Sequence, residues 1–157
     1  MKLEKLKMRN FRKFKHEEVK FADNLNLIEG ENNAGKSSLF YAIYFALTGD
    51  AFNFRSPKEY INFDESQMRT DLELSTNGKK YFITRSYSHN SGGEYSIGRI
   101  EGEKRTILES TEKGSNASEV NDTLYEITGL NKKVIEHVTY AAQQKFIEMI
   151  DGGRRQK

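Results

Sequence analysis

The stretch Gly30-Glu31-Asn32-Asn33-Ala34-Gly35-Lys36-Ser37 decides the fold. It fits the pattern G-x-x-x-x-G-K-[ST], and its flanks predict a strand before it and a helix after it, the context that pattern requires. The spacing follows from the chemistry of a phosphate chain. Small and flexible residues let successive backbone N–H groups converge on one phosphate, and a helix beginning near Lys36 adds the positive end of its dipole. Lys36 would reach the β- and γ-phosphates, Ser37 would put its hydroxyl on Mg²⁺, and Ser38 is placed to bond the α-phosphate. The alternative is a glycine turn that merely caps a helix. The full pattern arises by chance in on the order of 1 chain in 100 of this length, and its context makes it rarer still. The stretch therefore reads as a P-loop that binds a nucleoside triphosphate, ATP with Mg²⁺.

Upstream, Asn24-Leu25-Asn26-Leu27-Ile28 alternates leucine with asparagine and predicts a strand running into Gly30, the last of several short strands. Downstream, Leu39, Ala42, Ile43, Ala46 and Leu47 form a helical stripe, while Phe40, Tyr41, Tyr44 and Phe45 are apolar on other faces. Such a helix is buried on most sides, and Gly49 can end it in the left-handed conformation. From Gln67 to about Leu108 the period becomes two. Met68, Thr70, Leu72, Leu74 and Thr76 face one way, and Arg69, Asp71, Glu73 and Ser75 face the other. Asn77-Gly78 predicts a two-residue hairpin turn, with Tyr81 to Ser88 as the returning strand, and a second hairpin falls around His89 to Gly93. Ser115 to Gly129 predicts a helix capped by Ser or Asn, with Val120, Leu124 and Ile127 on one face. Asn131 to His137 adds a turn or two, Val138 to Ala142 predicts a buried strand, and a last helix begins near Phe146.

At 157 residues the chain is one domain, or one lobe of a larger one. Its hydrophobic fraction is only 36%, but 10 Phe and 8 Tyr supply bulky core material, which argues against general disorder. Zero Cys excludes disulfides and Cys-ligated zinc, and His16, His89 and His137 lack the spacings of a metal site, so metal is expected only with a ligand. The charged amino terminus and the lack of an apolar run near ~18 residues point away from a membrane. The expected location is intracellular and cytoplasmic, nucleoid-associated in a prokaryote. Residues 1 to 20 hold eight Lys/Arg against three Glu, either a solvated face or a contact for DNA.

Two P-loop classes do not fit. Asn131-Lys132-Lys133-Val134 lacks the Asp of a guanine reader, and no Asp here has Gly three residues on, against a GTPase. Small P-loop kinases continue in repeated βα units, whereas antiparallel hairpins follow the loop helix here. The order of elements instead resembles a known family. Arg9-Asn10-Phe11-Arg12 ends a first strand, Leu27-Ile28-Glu29-Gly30-Glu31-Asn32 and Gly35-Lys36-Ser37-Ser38 follow, then the antiparallel block, then Val138-Thr139-Tyr140-Ala141-Ala142-Gln143. This looks like the amino-terminal lobe of the SMC-like ABC-type ATPases, close to the ATPase subunit of the DNA double-strand-break repair nuclease complex and its bacterial SbcC relatives.

The resemblance implies an α/β fold, a P-loop NTPase of ABC-ATPase type, with a mixed sheet and an antiparallel β block packed on the P-loop helix. Residues 1–150 would form the amino-terminal lobe of the head, and 151–157 the start of a coiled-coil helix or simply the end of the chain. It further implies that Arg12, helped by Lys13, contacts the phosphates from the side opposite the loop. Asn32, Asn33, Ala34, Gly35 and the backbone through Ser38 would cradle them, and Asn62, Phe63 and Asp64 would approach the base. Gln143 would complete the Mg²⁺ shell beside Ser37 and sense the γ-phosphate, acting with Lys36 in catalysis. Asn33 stands where a second glycine is common, which left-handed φ at Asn tolerates. Gln144 replaces the usual small residue, so the sensing role lies with Gln143 or its neighbour.

Two segments imitate the family's remaining motifs. Ser91-Gly92-Gly93-Glu94 resembles the signature motif, but His89-Asn90 precedes it and a strand-like alternation follows, so it reads as a hairpin tip. Ile61-Asn62-Phe63-Asp64-Glu65 is too polar and too short for the apolar strand that ends in Asp-Glu. In the resembled family both motifs belong to a carboxyl-terminal lobe beyond a long coiled coil, so this chain is expected to be half a head, binding ATP far better than it hydrolyses it. The implied partners are that carboxyl-terminal lobe, a second head in an ATP-dependent homodimer, a repair nuclease subunit and DNA. Two other functions stay open: a head lobe of a chromosome-organising SMC or RecF/RecN-type protein, and a non-hydrolysing ATP-binding module.

Overall fold

The structure is a computed structural model that describes residues 1–114 and 116–135. Strand β1 (Lys2–Phe11) turns back at Arg12-Lys13 into β2 (Phe14–Lys20). After the phosphate loop comes helix α1 (Lys36–Thr48), then a 3-10 turn at Pro57–Tyr60. Two hairpins follow, β3 (Gln67–Thr76) with β4 (Lys79–Ser88) and β5 (Gly92–Glu101) with β6 (Lys104–Ser110). Helices α2 (Ala117–Thr128) and α3 (Lys132–Val134) close the described part.

The six strands form one sheet in the order β2-β1-β3-β4-β5-β6, and every pairing in it is antiparallel. The expected antiparallel block is therefore present. Its Asn77-Gly78 turn has φ of 51° and 72°, the left-handed pair that a tight hairpin needs. Ser91 to Glu94 does belong to the β4–β5 hairpin: His89 to Ser91 make the turn, and β5 begins at Gly92, paired to Ser88. The strand expected at Val138 to Ala142, the helix expected from Phe146, and Gln143 all lie outside the described residues.

One element departs from expectation. Asn24 to Ile28 forms no strand, and Leu25 and Leu27 are 85% and 76% exposed. No described strand pairs with it: β1 is taken on both edges, by β2 and by β3, and the outer edge of β2 has no partner among the described residues. The Asn26 side chain instead closes a local loop, accepting from the Ala22 amide at 2.7 Å and donating to the Ala22 carbonyl at 3.2 Å.

The core lies between one face of the sheet and the two longer helices. Leu6, Leu72, Ile83 and Ile97 stand opposite one another across four strands and are fully buried. Against them α1 lays Leu39, Ala42, Ile43, Phe45 and Ala46, and α2 lays Val120 and Leu124. Each large apolar side chain so buried contributes roughly 1.5–3 kcal/mol. Helix α2 begins with a reciprocal cap: the Asn116 side chain accepts from the Glu119 amide at 3.0 Å, and Glu119 accepts from the Asn116 amide at 2.8 Å. Both α1 and α2 end on left-handed glycines, Gly49 and Gly129.

One charge is sealed in this core. Arg85 on β4 has no exposed surface. Its Nε donates to the Ala46 carbonyl at 2.8 Å, and its Nη2 donates to the Leu47 carbonyl at 3.3 Å and to Asn121 Oδ1 at 2.6 Å. The guanidinium also lies over the Tyr95 ring, 4.8 Å from its centroid. Burial pushes its pKa down to about 10, so it stays charged at neutral pH. The cation thus sits at the negative end of the α1 dipole and ties that helix to α2.

Candidate nucleotide-binding site

Helix α1 opens as an anion site. Its N-cap is Gly35, at φ 107°, which supplies no side-chain cap, and no acidic residue occupies the first turn. Leu39 is the first α1 amide to take an acceptor in the loop, the Gly35 carbonyl at 3.0 Å, so the amides ahead of it remain donors toward the cleft. The loop before it is folded on itself: the Ala34 amide donates to the Glu31 carbonyl at 3.1 Å, and Gly30 and Asn33 take φ of 154° and 67°. The Lys36 ammonium bridges the Gly30 and Glu31 carbonyls at 2.6 and 2.8 Å, which holds it above the amides it flanks. An uncapped helix start, an ammonium and two hydroxyls on one concavity have the chemistry a triphosphate with its metal ion requires, and Ser37 could hold Mg²⁺ there.

The β1–β2 turn braces the loop from outside. Lys13 donates to the Asn33 carbonyl at 2.5 Å, and the Phe14 ring lies so close to Gly35 that a Cβ there would sit 2.7 Å from Phe14 Cζ. Asn10 and Arg12 both take positive φ, 52° and 50°, which turns the end of β1 sharply toward the cleft. That turn is pinned by the segment after the 3-10 turn. The Arg12 amide donates to the Tyr60 carbonyl at 2.6 Å, the Asn62 amide donates to the Asn10 carbonyl at 2.8 Å, and the Asn62 side chain donates to the Arg12 carbonyl. Asn62 also accepts from the Asp64 amide at 3.2 Å, which leaves Phe63 at the tip, 100% exposed.

These pieces enclose a cleft of ≈ 1010 Å³. Arg12, Lys13, Asn32, Asn33, Gly35, Lys36, Ser37, Ser38, Asn62, Phe63 and Asp64 all line it, so residues far apart in sequence meet at one site, and Asn62 is hydrogen-bonded to Arg12 across 50 positions. Ala34 lies within the loop, and its side chain would touch a Cβ placed on Gly30. Four cations, Arg12, Lys13, Lys15 and Lys36, face the cleft against two carboxylates, Glu59 and Asp64, a balance suited to a polyanion. Gln143 lies outside the described residues.

Sequence reasoning missed Phe14, Lys15, Tyr41 and Phe54. Lys15 could have been found in the basic amino-terminal run. Tyr41 follows Ser37 by four residues, one turn along the helix and on the same face. Beneath the cleft, Tyr60 is fully buried, and its hydroxyl accepts from the Phe52 amide at 2.7 Å and donates to the Phe52 carbonyl at 3.3 Å. Burial pushes the phenol's pKa well up, so it stays a neutral strut.

Comparison with known proteins bears on the family and the fold. Residues 5–157 match the AAA domain family. The chain is 28% identical over 150 residues to the DNA double-strand break repair Rad50 ATPase of Methanocaldococcus jannaschii, a match covering 96% of this chain and 14% of that protein. Among solved structures, the recombination mediator protein RecF-ATP in the RecFOR pathway superposes with a TM-score of 0.58 at 26% identity, covering 64% of this chain and 28% of that one. The SMC head domain from Thermotoga maritima superposes with a TM-score of 0.54 at 20% identity, covering 78% of this chain and 42% of that one, a likeness of fold. With its P-loop, its antiparallel block and this match across almost its whole length, the chain belongs to the AAA domain family and has the P-loop fold of SMC-like, ABC-type ATPase heads.

Proposed function

We propose that this chain is the ATP-binding half of an SMC-like ATPase head that acts in DNA double-strand-break repair. The observation that carries the reading is the uncapped start of α1, facing a cleft in which Lys36, Ser37, Arg12 and Lys13 converge. Similarity to a Rad50 ATPase supports the repair role. The chain spans about one seventh of that relative's length, which is consistent with a carboxyl-terminal lobe elsewhere in the protein; the second head would come from a second copy. In this reading ATP clamps two heads together, remodels a DNA-binding surface and gates a partner nuclease.

The chain's own residues would do the following. The first-turn amides of α1 and of the loop bind the phosphates, and Lys36 trades its loop carbonyls for phosphate oxygens. Arg12 and Lys13 close on the phosphates from the β1–β2 side, and Asn62 to Asp64 flank the base. Ser37 and Gln143 would hold Mg²⁺, which supplies charge neutralisation on the outer phosphates. Phosphoryl transfer also needs the attacking water held in line and the equatorial charge neutralised. Those groups are expected from the other lobe and the second head, so the chain binds ATP far better than it turns it over. The outward basic row on β1, Lys5, Lys7 and Arg9, is partly neutralised by Glu73 and Glu18, which leaves Arg9 as the cation best placed for DNA phosphate.

The test is calorimetric titration of this chain with ATP, with and without Mg²⁺. Lys36→Ala removes a charge-assisted contact, so affinity falls by at least about tenfold. Unchanged affinity in that variant counts against the site. Turnover should be negligible for the chain alone and rise when the carboxyl-terminal lobe is added; brisk hydrolysis by these 157 residues alone sinks the half-head reading.

The RecF likeness favours one second reading, a RecF/RecN-type or chromosome-organising head with the same nucleotide chemistry and no nuclease. The sequence beyond this lobe separates them: a Cys-x-x-Cys hook at mid-coil indicates repair, and a large hinge domain indicates chromosome organisation.

A further inference from the structure

The Arg12 side chain makes no hydrogen bond and no ion pair among the described residues, yet it is not loose. Its guanidinium carbon lies 5.2 Å from the centroid of the Tyr41 ring and 5.2 Å from that of Phe54. The two rings meet edge to face, 5.3 Å apart at 88°, so they form a corner rather than a flat wall. That corner is anchored in the core: Tyr41 stacks on Tyr60 at 5.7 Å and 19°, and Phe54 meets the same ring at 5.2 Å. A cation attracted to two ring faces keeps its orientation without using its N–H groups. Its donors therefore stay free in a cleft that also holds Lys36 and Ser37.

We propose that Tyr41 and Phe54 are positioning residues for nucleotide binding, an aromatic corner that holds the Arg12 guanidinium at the mouth of the phosphate cleft with its donors unused. The inference rests on the reading of Arg12 as a phosphate contact. Its physical content is preorganisation. A long, flexible side chain that must be ordered on binding loses rotamer freedom at that moment, and the corner removes most of that loss beforehand. Tyr41 brings a second consequence: it lies one turn beyond Ser37 on α1, so the helix that presents the phosphate donors also fixes the opposing cation.

The experiment is a double-mutant cycle on Mg·ATP affinity, read by calorimetry, with thermal unfolding measured alongside. Tyr41→Leu and Phe54→Leu should each weaken Mg·ATP by about three- to tenfold, the range of a partly desolvated cation–π contact. Tyr41→Phe keeps the ring face and should bind like the parent chain. In an Arg12→Ala background, Tyr41→Leu and Phe54→Leu should cause no further loss, because the group they orient is gone. Equal losses in both backgrounds, or none in either, overturn the aromatic corner while leaving Arg12 as a phosphate contact. An Arg12→Ala variant that binds Mg·ATP as well as the parent overturns the phosphate reading of Arg12 and the corner with it. Tyr41 is only half-buried, so Tyr41→Leu carries the test should Phe54→Leu weaken the fold.

Discussion

Gly35→Ala probes the point where the hairpin and the phosphate loop meet. Gly35 takes φ 107°, a backbone conformation that costs an L-residue roughly 1–2 kcal/mol. The added Cβ would lie 2.7 Å from Phe14 Cζ, 3.2 Å from Phe14 Cε1 and 3.0 Å from Lys13 Cδ. Lys13 can swing its flexible chain aside, but the Phe14 ring packs against the core and must be displaced, an overpacking cost of about 1–3 kcal/mol. The variant should thus lose about 2–5 kcal/mol in urea denaturation, and Mg·ATP binding should weaken because the first α1 amides no longer point into the cleft. Phe14→Leu, made alone and combined with Gly35→Ala, separates the two costs. The double variant should be more stable than the sum of the singles predicts by about 1 kcal/mol or more, since removing the ring relieves the clash but not the dihedral strain. Losses that add to within about 0.5 kcal/mol would show that the ring does not press on the loop.

Two further substitutions test the frame around the site. Asn121→Ala removes the amide oxygen that accepts from the buried Arg85 guanidinium, so stability should drop by about 1–3 kcal/mol; an unfolding midpoint equal to the parent's would contradict the sealed charge. Asp71 is pushed up by burial, but hydrogen bonds from Arg69 and Thr84 outweigh this and hold it below the usual carboxylate range. A lowered carboxylate stabilises the fold above its unfolded value of 3.8, and that contribution is lost as pH falls through the still lower folded value. The stability gap between the parent and Asp71→Asn should therefore be steady near neutral pH and close as pH drops below about 4, in denaturation curves taken from pH 7 to 3. A gap independent of pH would refute the assignment.

What the sequence disclosed tracks how local each signal is. The Gly35-Lys36-Ser37 start of α1, its Gly49 stop, the Asn77-Gly78 turn and the Asn116–Glu119 cap are written within a few residues, and all appear where those residues stand. Asn24 to Ile28 carries a strand pattern too, but a strand also needs a partner ladder, and alternation of side chains cannot report that Asn26 closes a local loop on Ala22 instead. Arg85 was legible by parity, because it falls on the same side of β4 as Tyr81 and Ile83; a charged residue among apolar ones simply discourages an inward assignment. The loop is legible in its own pattern, whereas Arg12 and Asn62 to Asp64 come into view only through the family resemblance. Their common cleft depends on the two positive φ values at the end of β1 and on the hydrogen bonds from Tyr60 and Asn62, none of which has a short-range signature.

Gly49 and Arg85 show how tightly distant positions can share one decision. A Cβ on Gly49 would stand 2.7 Å from Arg85 Nη1, and the φ of 75° there already disfavours any side chain. Nη1 is the one buried side-chain nitrogen or oxygen without a partner among the described residues, so the tight fit leaves this atom no acceptor. Across related chains the two positions should therefore co-vary: glycine at the first wherever arginine holds the second. A library randomised at both should recover that combination together far more often than independent tolerance at each would give.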